Sequence, residues 1–376
     1  MNAFAATQRC STLPCLRSGQ WLMRFVRKLR HPLAVAAIVF ADDQHSAEIH
    51  AADLIVRHSD GVSLRGEFTE MTPESVTIKT TGGKTEQISV SNIRNLQFDQ
   101  EPATLTQART NERSGALDVA LQKYEQARTE GSIRDKQLAE DLDFLIARTR
   151  VKMAIADPSG RDTALKAISE FRAAHRTGFR ILEATLLEAS LRVTAEDRSA
   201  AEKLLQEVRD SPVRGFQLQA GVQLGRLQLQ AGDPAAAMTT FDQVVQQSDG
   251  DAHALAVHFD AMLGKALCLQ QQEKLDESLL ALDQVLEKAS EVDTRVLAEA
   301  WIHKGDCLLL KNEPKSALMA FLHVDVLYPS EPAEHAQALF HLARLWGPAG
   351  HPDRAADAAA RLTEKYPNSQ WASQNR

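Results

Sequence analysis

The chain has 376 residues, 44% of them hydrophobic and 25% charged, which is ordinary for a globular protein long enough for two or three domains. Aromatic residues make up only 5%, so Ala, Leu and Val must form most of the core, which favours packed helices over a large β-sandwich. The formal net charge is −7, and residues 1–41 hold six basic and no acidic residues, so the remainder has a net charge of −13. An acidic body argues against nucleic-acid binding, which needs a basic surface.

The N-terminal leader, residues 1–41, has the three parts of a secretory signal. Basic residues between Arg24 and Arg30 precede an apolar run over residues 33–41, and two acidic residues follow Ala41 at once. We expect Met23 to be the true start and cleavage to occur near Ala41. The apolar run is too short to span a bilayer. An organellar transit peptide and an uncleaved weak anchor are the alternatives.

Residues 50–99 predict a small β-domain. Apolar and polar residues alternate around two turn signals, Asp60-Gly61 and Gly82-Gly83, which is typical of β-hairpins. Four or five short strands predict a small antiparallel barrel that resembles the SH3-like and Sm-like barrels. Sm-like folds often bind RNA, with Phe68 and Phe98 as the stacking candidates here, but a structural or protein-binding role is favoured.

From about residue 103 the apolar pattern repeats every 3.6 residues, which indicates helices, and Gly or Pro residues fall between them. We expect six or seven helical hairpins. Those in residues 103–212 are degenerate, and residues 213–370 hold four better-matched copies of one repeat.

The template copy has Trp301, Gly305, Ala317, Phe321 and Pro329 at spacings that resemble the tetratricopeptide repeat. Small residues let two helices approach closely, the bulky residue fills the gap to the next pair, and the proline begins the following helix. The small residues lie twelve apart in every copy, and the copies lie 41, 39 and 38 residues apart. The other copies are framed by Gly225, Ala237 and Phe241, by Ala266, Ser278 and Leu282, and by Ala343, Ala355 and Pro367.

This resemblance implies a mostly α fold, a right-handed α-solenoid of antiparallel helix pairs whose first helices line a groove. It also implies that a protein or peptide partner binds there. Tyr328-Pro329 and Tyr366-Pro367, each followed by spaced alanines, resemble exported bacterial tetratricopeptide proteins of the cell envelope. The polar first-helix positions that would face the groove are Gln219, Arg226, Asp260, Gln270, Asp306, Gln337 and Arg344.

One helix also brings His303, Asp306 and Cys307 to i, i+3, i+4 spacing, which could serve as a catalytic trio. Cys307 and Cys268, however, occupy the same position of two successive repeats, where a small hydrophobic residue packs. No metal-binding, phosphate-binding or nucleophile motif is present in the sequence. We therefore expect no enzyme activity, no catalytic residue, no metal and no cofactor.

Three functional hypotheses remain at this stage. The first is an exported, non-enzymatic scaffold that binds a protein or peptide, with peripheral envelope association and no transmembrane span in the mature chain. The second is an intracellular or organellar adaptor. The third is an RNA-associated protein that uses the small β-domain, although no nucleic-acid partner is expected.

Overall fold

A computed structural model describes residues 52–99, 101–130, 133–251 and 254–374. The predicted signal segment, with Met23 and the cleavage site at Ala41, lies outside the described residues. No helix in the described ranges is long and apolar enough to cross a bilayer.

The β-domain is one antiparallel sheet of five strands in the order β4-β3-β2-β1-β5. Both predicted turn signals lie between paired strands, and Gly61 and Gly83 have φ values of +67° and +81°, which glycine adopts readily. The strands are β1 (Asp53–Arg57), β2 (Ser63–Met71), β3 (Ser75–Thr80), β4 (Thr85–Ser89) and β5 (Ile93–Gln97).

The predicted barrel is wrong, because the sheet does not close. Strands β4 and β5 lie at opposite edges and do not pair with each other. The buried strand residues, such as Ile55 and Val76, belong to one hydrophobic cluster with helical residues such as Leu105 and Phe216. Since helices already cover the apolar face, the sheet does not need to bury that face by curling on itself.

Phe68 and Phe98, the stacking candidates of the RNA-binding alternative, belong to this core. Phe98 is buried, and the half-buried Phe68 packs edge-on against it with ring centroids 5.4 Å apart. The rings therefore do not form an exposed stacking platform of the kind that single-stranded RNA uses.

The rest of the described chain confirms the predicted mostly helical fold. Consecutive helices pack as seven pairs, α1–α2 through α13–α14, and α15 follows the last pair. The helices are α1 (Ala103–Arg113), α2 (Leu117–Glu130), α3 (Lys136–Ala156), α4 (Arg161–Ala174), α5 (Ile181–Thr194), α6 (Arg198–Arg209), α7 (Arg214–Gln230), α8 (Pro234–Ser248), α9 (Leu255–Gln271), α10 (Leu275–Lys288), α11 (Thr294–Leu310), α12 (Pro314–Leu327), α13 (Pro332–Leu345), α14 (Pro352–Lys365) and α15 (Gln370–Gln374).

The turns within the last four helix pairs share one backbone conformation. In each of the last four pairs the turn after the first helix contains a residue with positive φ, namely Gly232, Glu273, Asn312 and Gly350. The next amide then bonds back to the helix, as Lys274 N does to the Leu269 carbonyl at 2.9 Å. These turn residues lie 41, 39 and 38 residues apart, the same intervals as the sequence repeat.

The framework residues explain why small side chains recur. A Cβ added at Gly225 would lie 2.7 Å from the Phe241 ring, and one at Gly305 would lie 2.6 Å from the Phe321 ring.

The other framework residues differ in burial between the copies. Ala237, Ala266, Ala317 and the ring of Phe321 are fully buried, whereas Ala343 and Ala355 of the last copy are only half-buried. In the second copy, Ser278 Oγ donates to the Ala266 carbonyl at 2.9 Å and Leu282 is buried. The sequence pattern missed Gly264, where a Cβ would lie 2.3 Å from Phe241.

Candidate functional site

The first helices of the last four pairs, α7, α9, α11 and α13, contact one another in series. We call the polar side chains that connect them the first-helix face. The face includes predicted residues Arg226, Asp260, Asp306 and Gln337, and the structure brings them together in two clusters.

The first cluster links α7, α9 and α11. Arg226 Nη2 lies 3.1 Å from Glu299 Oε1 and 3.9 Å from Asp260 Oδ1. Arg295 bonds both carboxylates, to Asp260 at 2.7 Å and to Glu299 at 2.9 Å. Burial opposes ionisation of Glu299, but His303 and the two arginines outweigh it and lower its pKa to about 2. Burial dominates at Asp260 and raises its pKa.

The second cluster links α11 and α13. Gln337 Nε2 donates to Asp306 Oδ2 at 3.1 Å, and His341 Nε2 lies 3.4 Å from Asp306 Oδ1. Burial raises the pKa of Asp306 to about 6 although His303 and the Gln337 bond oppose the shift. Burial, with help from Arg344, lowers the pKa of His341 to about 4. The His341 ring also stacks on Phe321, with centroids 4.3 Å apart.

The other predicted groove residues lie outside these clusters. Gln270 donates to the His303 carbonyl at 3.0 Å, and Gln219 is half-buried on α7. Arg344 is exposed, with its guanidinium 5.3 Å from the centre of the Phe340 ring. A role for these residues in binding stays a prediction.

Sequence reasoning missed four contributors to the face: Arg295, Glu299, His303 and His341. A signal for three of them was present, since Arg295, Glu299 and His303 follow one another at four-residue intervals along α11. The spacing of His341 and Asp306 in the sequence could not predict their contact, because it depends on how α13 packs against α11.

His303, Asp306 and Cys307, whose spacing raised the question of a catalytic trio, do not form a unit. Cys307 is buried and its Sγ donates to the Leu275 carbonyl at 3.4 Å, whereas Asp306 contacts α13. Burial raises the pKa of the Cys307 thiol, which disfavours the nucleophilic thiolate. Within the described ranges, no group of three or more His, Cys, Asp and Glu side chains could hold a metal ion.

A second set of charged residues lies on α1 and α3 and immediately before α1 and α5, where no groove residues were predicted. Arg109 forms salt bridges with Glu101 at 2.7 Å and with Asp141 Oδ2 at 3.0 Å. Arg180 forms a salt bridge with Asp141 Oδ1 at 2.8 Å. Asp141 is fully buried. Burial opposes its ionisation, but Arg180 and Arg109 outweigh it and lower its pKa.

Glu112 is the centre of the same set. It accepts hydrogen bonds from Arg148 and Tyr124 at 2.7 Å and from Lys152 at 2.8 Å. Burial opposes ionisation here too, but Arg148 and the hydrogen bonds lower the Glu112 pKa to about 2. We call the paired charges of α1 and α3, together with Glu101 and Arg180, the buried ion-pair ladder.

Family models described as "Tetratricopeptide repeat" match residues 186–252, 222–294 and 337–369. The chain carries tetratricopeptide repeats. Two of the three matched stretches fall on the copies that the sequence spacing identified, and the first begins within the region predicted to be degenerate.

Solved structures with a similar fold also exist. One is a tetratricopeptide repeat protein from Parabacteroides merdae, 14% identical, with a TM-score of 0.50 over 72% of this chain and 95% of that one. Another is a Rap protein complexed with Competence and Sporulation Factor, 14% identical, with a TM-score of 0.51 over 72% and 77%. No curated protein matches the sequence.

Proposed function

We propose that this tetratricopeptide-repeat protein is a non-enzymatic scaffold of the bacterial cell envelope that binds a protein or peptide along the first-helix face. The observation that carries the proposal is the cluster on α7, α9 and α11. Its arginines, Arg226 and Arg295, are 42% and 45% exposed, whereas the paired carboxylates of Asp260 and Glu299 are 20% and 18% exposed.

The less exposed carboxylates therefore hold the guanidinium groups in place, and the guanidinium groups stay accessible to solvent. A guanidinium has five N–H donors, so donors remain for the carbonyls and carboxylates of a bound segment. Because the carboxylates already fix the arginine side chains, less conformational entropy is lost when a partner binds. The exposed Arg344 continues the polar surface along α13.

Site-specific photo-crosslinking tests the surface. Benzoylphenylalanine replaces Gln270 on α9 or Arg344 on α13, and the matched control replaces Gln284, an exposed residue of the second helix α10. We expect the same partner to be captured from both first-helix positions in envelope fractions and not from Gln284. Equal capture from Gln284 would refute binding through the first-helix face.

Export is tested separately. The leader motivates the proposal that the mature protein begins at Asp42 and lies in the periplasm or on the envelope. N-terminal sequencing of the protein purified from envelope fractions should return Asp42 as the first residue. An unprocessed chain in the cytosol would favour the intracellular adaptor instead.

A further inference from the structure

A cavity of about 330 Å³ lies between the sheet and the first helices α1, α3, α5 and α7. Residues of strand β5 and of the short turn before it line the cavity, and so does Gln219 of α7. The sheet and α7 approach closely here, since a Cβ added at Gly215 would lie 2.5 Å from Ser91 Oγ. Only the packing of the sheet on the helices creates this space.

Six cations line the cavity, in a chain whose net charge is −7. Two carboxylates, Glu112 and Glu183, also line it, and Glu101 and Asp141 pair with the lining arginines from behind. Six cations therefore face four carboxylates, an excess of two positive charges. The cations are Arg94 of β5, Arg109 and Arg113 of α1, Arg148 and Lys152 of α3, and Arg180 immediately before α5.

The excess charge can be assigned to Arg94 and Arg113. Neither forms a salt bridge with a carboxylate among the described residues, and Arg113 donates only to Thr110 Oγ1, at 3.3 Å. Both side chains belong to exposed residues at the cavity wall. Burial and the charge of Arg94 lower the pKa of neighbouring His58, as expected where the local potential is positive.

The remaining cations are held in place. Glu112 fixes Arg148 at 2.7 Å, and Asp141 fixes Arg180 at 2.8 Å. Arg180 also donates to Glu183 at 3.0 Å. A guanidinium has five N–H donors, so Arg148 and Arg180, which both line the cavity, keep donors beyond these bonds. Guanidinium groups match phosphate and carboxylate oxygens with paired hydrogen bonds.

We propose that this cavity binds a multivalent oxyanion, a ligand carrying phosphate or carboxylate groups that Arg94 and Arg113 neutralise. The cavity volume lies in the range of small-ligand sites. This binding is separate from the proposed scaffold function, because none of the residues in the two clusters of the first-helix face lines the cavity. The anion can be a free small molecule or an acidic group carried by the protein partner.

Isothermal titration calorimetry of the full chain with pyrophosphate, and separately with citrate, tests the site. Ionic strength is kept at about 20 mM so that screening is weak. We expect saturable binding of at least one anion and a weakening of about tenfold or more when Arg94→Ala and Arg113→Ala are combined. Neither substitution removes a salt bridge with a described residue, so the fold should be retained, which circular dichroism checks.

Arg65→Ala is the matched control, since Arg65 is an exposed arginine of the same sheet that does not line the cavity. We expect this variant to bind within about twofold of the parent chain. The proposal would be overturned if the chain bound neither anion. It would also be overturned if Arg65→Ala weakened anion binding as much as the combined Arg94→Ala and Arg113→Ala variant. The second result would mean diffuse attraction to surface charge.

The source of the anion is resolved by repeating the Gln270 crosslinking with saturating pyrophosphate or citrate. Loss of the captured partner shows that the partner carries the acidic group, and unchanged capture shows that the ligand is a free anion. Failure of the crosslinking while an anion still binds the cavity would refute the scaffold and leave the cavity proposal supported.

Discussion

The two halves of the described chain use charge and apolar packing differently. The first half, from β1 to α7, has one continuous hydrophobic cluster that runs from Ile55 to Leu227. The later helices instead bury three smaller clusters, each shared by neighbouring helices. The buried ion-pair ladder lies in the first half, whereas the arginines of the first-helix face are partly exposed.

This difference indicates two kinds of folding unit. A single core that joins a sheet to helices should unfold as one body, while stacked pairs that contact only their neighbours resemble a one-dimensional array. The same contrast applies to the salt bridges. Buried pairs are sensitive to the loss of either partner, and exposed pairs contribute little to stability.

The largest expected effect compares one carboxylate from each half. Asp141→Asn removes the charge between Arg109 and Arg180 and should lower the free energy of unfolding by about 3–5 kcal/mol. Asp260→Asn, whose arginine partners are exposed, should cost less than about 1 kcal/mol. Urea denaturation followed by circular dichroism measures both. Equal losses would show that the two sets of ion pairs do not differ in energetic role.

Phe321→Ala tests whether the later repeats are modular. Phe321 is fully buried, and its removal should cost about 3–5 kcal/mol locally. Hydrogen exchange should rise in α11–α14 and stay unchanged in α1–α6. Leu280→Ala, at a residue 61% exposed, is the control and should change stability by less than about 0.5 kcal/mol. A uniform rise in exchange along the chain would contradict the modular description.

The smallest effect concerns Asp306, whose pKa burial raises from near 3.8 to about 6. A raised carboxyl pKa contributes stability that is present below pH 3.8 and is lost as the pH rises through 6. Asp306→Asn keeps an acceptor for Gln337, so it should stabilise the protein at pH 8 by on the order of 1 kcal/mol. The gain should stay constant near pH 8, shrink as the pH falls through 6, and be small at pH 4. Thermal unfolding at both values measures it, and a gain that does not depend on pH would disprove the assignment.

The spacing of small and bulky residues in the sequence predicted much of the repeat, because the packing contacts within a helix pair join residues that are close in the chain. Gly305 and Phe321 must meet wherever two helices cross closely, and their separation in the chain reports that crossing. The turns of the helix pairs were less visible. Glu273 and Asn312 adopt positive φ where glycine is usual, since the hydrogen bonds at the helix end hold a conformation that costs these residues about 1–3 kcal/mol.

The candidate sites were only partly readable. Asp260 and Asp306 could be proposed from their positions within the repeat, but their partners Arg295 and His341 come from neighbouring helices. The buried ion-pair ladder could not be predicted. In the sequence, Asp141 cannot be told from any other polar residue of an amphipathic helix. Its burial and its salt bridges with Arg109 and Arg180 depend on how the helices pack.

The sequence by itself determined the helix pairs, their period and the hairpins of the sheet, because each depends on residues close together in the chain. Only the tertiary structure decided that the sheet stays open, since its apolar face is covered by helices far along the sequence. It also decided where charge collects. Arg94 and Arg113 carry no shared pattern in the sequence, and the packing of a strand against a helix makes them neighbours across one cavity.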